Sequence, residues 1–217
     1  MKVVVVGGGT AGWLAALMIS KIRPEHNVTV VESSKIGIIG AGEGSTGSLT
    51  NIVQNEMANM GCVEQDFIRE CDATIKLGIK HIGWNKDTKS HYYGPIDGSP
   101  TSGDAVDIVF QHALGYREQD LLHVSTELGY KIEHNKNSFV EHNGNHAYHF
   151  DAHKVGKYFK KISSNVTDID SEVDEVILDP ENGWVTSLKL SNGNTVHGDM
   201  FIDCLLYTSP SPRDSSP

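Results

Sequence analysis

The chain has 217 residues, 38% of them hydrophobic, and a formal net charge of −10. That is enough apolar material for one domain with a real core and a small second lobe, and too much for a disordered chain. The acidic balance, with no basic block, argues against nucleic acid and membrane as partners, because both call for a concentrated Lys/Arg face.

Lys2 to Val6 is a short β-branched run without alternation, the pattern of a strand buried on both faces. It is too short to span a bilayer and runs straight into glycines instead of a cleavage site, so no signal peptide is read. Gly7 to Gly12 is a turn. Trp13 to Ile22, rich in Ala and Leu, predicts a helix ended by Pro24. Val28 to Val31 predicts a second buried strand closing at Glu32, which completes a βαβ unit. A Gly-rich loop follows from Gly37 to Gly47. Helices are predicted over Ser48 to Met60 and Glu64 to Ala73, then a strand-like stretch from Ile75 to Trp84. Tyr92 to Gly103, rich in Gly, Pro and Ser, reads as loop. Tyr148 to Phe150 predicts a short strand and Ala152 to Ile162 a helix. Ser171 to Leu178, Val185 to Leu190 and Thr195 to His197, with turns at Asn182-Gly183 and Asn192-Gly193, predict an antiparallel meander. Met200 to Asp203 begins one more buried strand. There is no internal repeat. The scattered Cys62, Cys71 and Cys204 have no CxxC spacing and fit reduced thiols packed as small apolar residues in a cytoplasmic protein.

Residues 204–217 read differently. Cys204 to Asp214, CLLYTSPSPRD, matches one reading frame of a common transposase-based sequencing adapter. The expected division is therefore an incomplete domain over residues 1–203 and a non-native tail over 204–217, from which no function is drawn.

Gly7-x-Gly9-x-x-Gly12 lies between a predicted strand and a predicted helix, the context that gives this pattern meaning. Gly7 lets the chain turn tightly out of the strand. Gly9, lacking Cβ, lets a pyrophosphate approach the backbone. Gly12 lets helix and strand pack closely. The helix N-terminus offers N–H groups and a partial positive charge to phosphates, and Thr10 and Ala11, in the turn before it, are counted among the cofactor contacts. Glu32, twenty residues after Gly12, would accept hydrogen bonds from a ribose diol and repel a 2′-phosphate. This fingerprint alone does not separate FAD from NAD.

Several further segments resemble the flavin-dependent tryptophan halogenases: GGGTAGW from Gly7 to Trp13, the loop from Ile38 to Thr46 containing Gly42 and Glu43, CDATIKLGIKHIGW from Cys71 to Trp84, AYHFDAHKV from Ala147 to Val155, and FIDC from Phe201 to Cys204. The likeness is collinear over residues 1–203. It implies an α/β, FAD-binding Rossmann-like fold of the glutathione-reductase/hydroxylase type, with the meander and the start of a substrate lobe. It also implies FAD contacts at Gly42 and Glu43 along the flavin and at Val173 where the meander opens. In the implied chemistry, FAD arrives reduced from a separate flavin reductase, and oxygen and a halide yield a hypohalous acid. A lysine then holds or activates that species beside an aromatic small molecule. The family's lysine is the first of a K-x-x-x-K pair, which here is Lys76, with Lys80 second.

There are departures. Thr46 is followed by Gly47-Ser48, where tryptophan-specific relatives carry Ile-Pro, so the implied substrate widens to other indoles and phenols. The family's Trp-x-Trp-x-Ile-Pro motif is absent from residues 1–203. Two rival readings stay open: a flavin monooxygenase that inserts hydroxyl with no special role for Lys76, and an FAD-binding fragment without catalysis. Oligomeric state is open, a homodimer included. His142, His146, His149 and His153 lack a shared helix face and read as loop histidines, so no metal is expected. Asp104 and Asp107 read as a solvated loop face, and Trp84 as equally a core or a pocket aromatic.

Overall fold

A computed structural model of the chain describes residues 1–37, 44–76, 78–82, 91–95 and 146–205. These fall into two compact units. The first comprises Met1–Ala41, Met57–Asp72 and Asp151–Pro217; the second comprises Gly42–Glu56 and Ala73–Phe150.

The first unit is built on β1 (Lys2–Val6), whose Val3, Val4 and Val5 are all buried. β-Branched side chains on both faces need cover on both faces, and the unit supplies it. β1 pairs in parallel with β2 (Asn27–Glu32) and β11 (Met200–Asp203), and β2 with β7 (Val166–Asp170), giving the order β11-β1-β2-β7. On one face lies α1 (Thr10–Ile22), which buries Trp13, Ala16, Leu17 and Ser20. Those positions form one helical stripe. The buried Ser20 hydroxyl is satisfied by donating to the Leu17 carbonyl at 2.9 Å. α1 packs on α4 (Ala152–Ile162), which the Asp151 carboxylate caps by accepting from the His153 and Lys154 N–H groups at 2.9 and 3.3 Å. α3 (Glu64–Glu70) places Phe67 edge-on to Tyr158, at 5.9 Å, and stacked on Phe159, at 6.1 Å. On the opposite face lies the meander of β8 (Val173–Leu178), β9 (Val185–Leu190) and β10 (Thr195–His197). Its Leu188 and Leu190 close over Val4 and Val31. Both turns use glycine in the left-handed region, Gly183 at φ 76° and Gly193 at φ 86°.

In the second unit β3 (Thr74–Lys76) pairs antiparallel with β6 (Ala147–His149), and β4 (Gly78–Ile82) with β5 (His91–Pro95). The unit also contains α2 (Gly47–Asn51), followed by a π-turn over Ile52–Glu56.

Four expectations change. The single helix over Ser48 to Met60 is instead α2, the π-turn and a 3-10 turn at Ala58–Met60. The run Thr50-Asn51-Ile52-Val53 contains poor helix formers, so regular i→i+4 bonding is not sustained. The helix over Glu64 to Ala73 stops at Glu70, and Asp72 follows at φ 48°. Part of the expected loop from Tyr92 is strand β5, consistent with the β preference of Tyr92 and Tyr93, while 96–103 lie outside the described residues. β7 is not legible in VTDID, whose two aspartates hide a strand at the end of the sheet. β11 is likewise a half-exposed end strand instead of a buried one, with Met200 47% exposed. Of the expected tail, residues 206–217 lie outside the described residues. Cys204 is within them, and its N–H donates to the Val6 carbonyl at 2.8 Å.

Cys62 and Cys71 are buried free thiols. Burial pushes the Cys71 thiol up from an ordinary 9.0 to about 12, and the neighbouring Cys62, Glu70 and Asp151 push the same way. Both thiols should resist iodoacetamide at pH 8 until the chain unfolds, as read by mass spectrometry. The unfolded thiol releases its proton first, so stability should fall as pH rises from about 9 toward 12, with a shallower slope in Cys71→Ala. Phe67→Ala removes an aromatic held between two others, and urea titration should show a loss of about 3–5 kcal/mol.

Candidate functional site

In the first unit the strand-to-helix turn is shaped by contacts that exclude side chains. β1 ends as the Gly7 N–H donates to the Val31 carbonyl at 2.9 Å, with Gly7 at φ 111°. A Cβ on Gly12 would stand 1.8 Å from the Gly7 carbonyl oxygen, so α1 can start this close to the sheet only with glycine there. Gly9 is the N-cap of α1, and a Cβ on it would meet nothing within 4 Å. That glycine is not required by packing inside the protein. The first intrahelical bond runs from the Trp13 N–H to the Gly9 carbonyl at 3.1 Å. The N–H groups of Thr10, Ala11 and Gly12 therefore precede any intrahelical acceptor and face outward from the positive end of the helix. Open space at Gly9 beside these donors fits a pyrophosphate.

Glu32 ends β2 as expected and lies over the turn: a Cβ on Gly8 would be 1.6 Å from its Oε2. Its Oε2 accepts from the Trp13 indole N–H at 3.1 Å, and its Oε1 from the Lys160 ammonium at 2.7 Å. Lys160 also pairs with Asp168 at 2.5 Å and stands 5.3 Å above the Trp13 ring centroid. Desolvation alone would lower the Lys160 ammonium, but its hydrogen bonds to Asp168 and Glu32 prevail and raise it. Lys160 is thus fixed as a cation.

In the second unit Lys76, on β3, is half-buried, and its ammonium donates to the Ser45 carbonyl at 3.1 Å. Ser45 is itself fixed to β6: its N–H donates to the Tyr148 carbonyl at 2.8 Å, and its Oγ accepts from the Tyr148 N–H at 2.9 Å. Gly44 bridges to His149, and a Cβ on it would come 3.4 Å from the His149 Nδ1 and 3.7 Å from the Lys76 Nζ. The Thr50 hydroxyl donates to the His146 carbonyl at 2.7 Å. Lys76 has three donors and this carbonyl takes one.

The first unit thus brings together Gly7, Gly9, Thr10, Ala11, Gly12 and Glu32. Val173, at the start of β8, packs with its side chain against the Val4, Val31, Leu188 and Leu190 cluster. Gly42 and Glu43 lie outside the described residues. Sequence reasoning missed Gly8, Lys160 and Asp168. Gly8 had a signal, as the middle glycine of an unbroken run of three; Lys160 is one of several helix lysines and had none.

A parallel sheet with a glycine turn, a helix N-terminus and an acid at the end of the second strand defines a dinucleotide-binding α/β protein. The family model for tryptophan halogenase matches residues 2–206, and the chain belongs to that family. It is 29% identical to the 7-chloro-L-tryptophan 6-halogenase KtzR of Kutzneria over 93% of this chain, and 29% identical to the tryptophan 6-halogenase ThaL of Streptomyces albogriseolus, also over 93%. The chain spans only 43% and 42% of the length of those two relatives. Among solved structures, a flavin-dependent halogenase from Xanthomonas campestris superposes with a TM-score of 0.73 at 30% identity, over 94% of this chain and 41% of that one. The fold is the α/β fold of the flavin-dependent halogenase structure over the part that this chain spans, as expected from the sequence.

Gly12→Ala should cost at least about 2 kcal/mol in urea titration, because the obstructing atom is backbone and cannot rotate away. Gly9→Ala should change stability by less than about 1 kcal/mol, the scale of an N-cap substitution.

Proposed function

We propose that this chain supplies the FAD-binding part, and the reactive lysine, of a flavin-dependent halogenase acting on an aromatic small molecule, tryptophan or another indole or phenol. The observation that carries the reading is the family match across residues 2–206, which spans both the glycine turn and Lys76. The geometry described above supports it. FAD would be held by its pyrophosphate at Gly9, Thr10, Ala11 and Gly12 and by its adenosine ribose at Glu32, with further contacts at Gly7, Gly42, Glu43 and Val173. When bound and reduced, FAD supplies the reducing equivalents with which oxygen converts halide to hypohalous acid. A separate flavin reductase would provide the reduced form.

The chain's own groups then act by position. Glu32 accepts from a ribose diol and disfavours a 2′-phosphate by charge repulsion. Lys76 is steadied by the Ser45 carbonyl, which among the described residues takes one of its three N–H donors; the ammonium would hydrogen-bond a hypohalous acid, or, after losing a proton, its amine would take the halogen with release of water. Ser45, fixed to Tyr148 by two hydrogen bonds, gives that lysine a rigid partner.

Two measurements test this. In Gly9→Ala, fluorescence titration should show FAD binding weakened at least about 10-fold while the melting curve stays close to the parent, since the new methyl obstructs the ligand and no protein atom. The protein carrying this sequence, given FAD, a flavin reductase, NADH, bromide and tryptophan or a panel of indoles and phenols, should give a brominated product by mass spectrometry. Lys76→Ala should bind FAD normally and lose that product. A hydroxylated product independent of halide would overturn the reading.

A further inference from the structure

The Glu32 carboxylate is unusually constrained for a group whose expected task is to receive a ligand. Its two oxygens have different protein partners: Oε2 the Trp13 indole at 3.1 Å, and Oε1 the Lys160 ammonium at 2.7 Å. The indole N–H is a donor only, and its ring is 2% exposed, so it cannot turn elsewhere. Lys160 is held in turn by Asp168, at 2.5 Å, and by the face of the Trp13 ring, 5.3 Å from its centroid. Beneath the carboxylate, Gly8 has no room for a Cβ, which would overlap Oε2 at 1.6 Å. Glu32 is therefore bounded on three sides by residues of which none is a fixed glycine of the Gly-x-Gly-x-x-Gly pattern.

Acceptor capacity gives this arrangement a meaning. An ionised carboxylate oxygen accepts about two hydrogen bonds. With one accepted at each oxygen from the protein, one site per oxygen remains, and a cis-diol offers one hydroxyl to each. We propose that Trp13, Lys160 and Gly8 form a seat that positions Glu32 for bidentate recognition of the adenosine ribose diol of FAD. This inference rests on the flavin reading above. Trp13 and Lys160 are positioning residues, acting through Glu32. The charges explain why the lysine does not invite a 2′-phosphate instead: one ammonium faces two carboxylates, so the cluster remains negative.

The test uses the purified chain and two ligands, FAD and its analogue with 2′-deoxyribose in the adenosine half, titrated by flavin fluorescence. The parent should bind FAD about 10-fold tighter than the analogue, as for a hydrogen bond to a charged group. Trp13→Phe keeps a ring and removes the donor; Lys160→Met keeps the stem and removes the charge. Lys160 is surface-accessible, so its variant remains informative if Trp13→Phe unfolds. In each folded variant, FAD should lose most of its advantage while affinity for the analogue stays within about 2-fold. Equal weakening for both ligands, or undiminished preference for FAD, overturns the proposal. Parent binding of both ligands with equal affinity overturns it too, and leaves the flavin reading intact. Parent binding of neither ligand overturns both.

Discussion

The first unit depends on the approach of the α1 N-terminus to the end of β1, where Gly12 stands so near the Gly7 carbonyl that a methyl group would lie 1.8 Å from its oxygen. Three consequences follow from that spacing. The unpaired N–H groups of the first helical turn are brought to the end of a parallel strand. The stripe of Trp13, Ala16, Leu17 and Ser20 is laid onto the valine-rich sheet, where it is buried. Trp13 reaches the end of the neighbouring strand, where its indole meets Glu32. Packing and ligand recognition thus share one steric condition, and the glycines divide the work. Gly12 serves packing, Gly8 makes room for Glu32, and Gly9 leaves open space.

Electrostatics completes the nucleotide end. Helix α1 contributes a partial positive charge where phosphates would lie, and the Glu32–Lys160–Asp168 cluster contributes a net negative charge where a ribose would lie. A dinucleotide would thereby be sorted by its two chemistries, anionic at one place and hydroxylic at the other. The second unit treats its lysine differently. Lys76 has a neutral partner, the Ser45 carbonyl, among its described contacts, and that carbonyl belongs to a residue already fixed to β6. A carbonyl orients an ammonium without neutralising it, and leaves donors free.

The relatives give these local features a common frame without exhausting them. The chain covers about two-fifths of their length. Within that span the backbone enters α2 at Gly47-Ser48, with Thr46 as its extended N-cap. The seat around Glu32 extends across elements far apart in sequence: Gly8 and Trp13 flank the first turn, while Lys160 and Asp168 lie near the close of α4 and in β7.

By itself the sequence determined the βαβ start, the glycine turn, the meander and the place of Glu32, because each is a short-range pattern: β-branched runs, glycines at fixed offsets, Asn-Gly turns. It also placed Lys76 on a strand, by the strand-like pattern from Ile75 to Trp84. It did not reveal β7, since VTDID has only two apolar residues and its pairing with β2 is made across more than 130 positions of chain. Nor did it mark the break-up of the helix after Asn51, where weak propensities leave the outcome to packing. The partners of Glu32 were beyond it for the same reason as β7: Lys160 lies 128 residues away and looks like any other lysine on an amphipathic helix. Only the tertiary structure decided which ammonium meets that carboxylate, because hydrogen bonds between distant residues depend on how strands and helices pack and leave no period in the sequence.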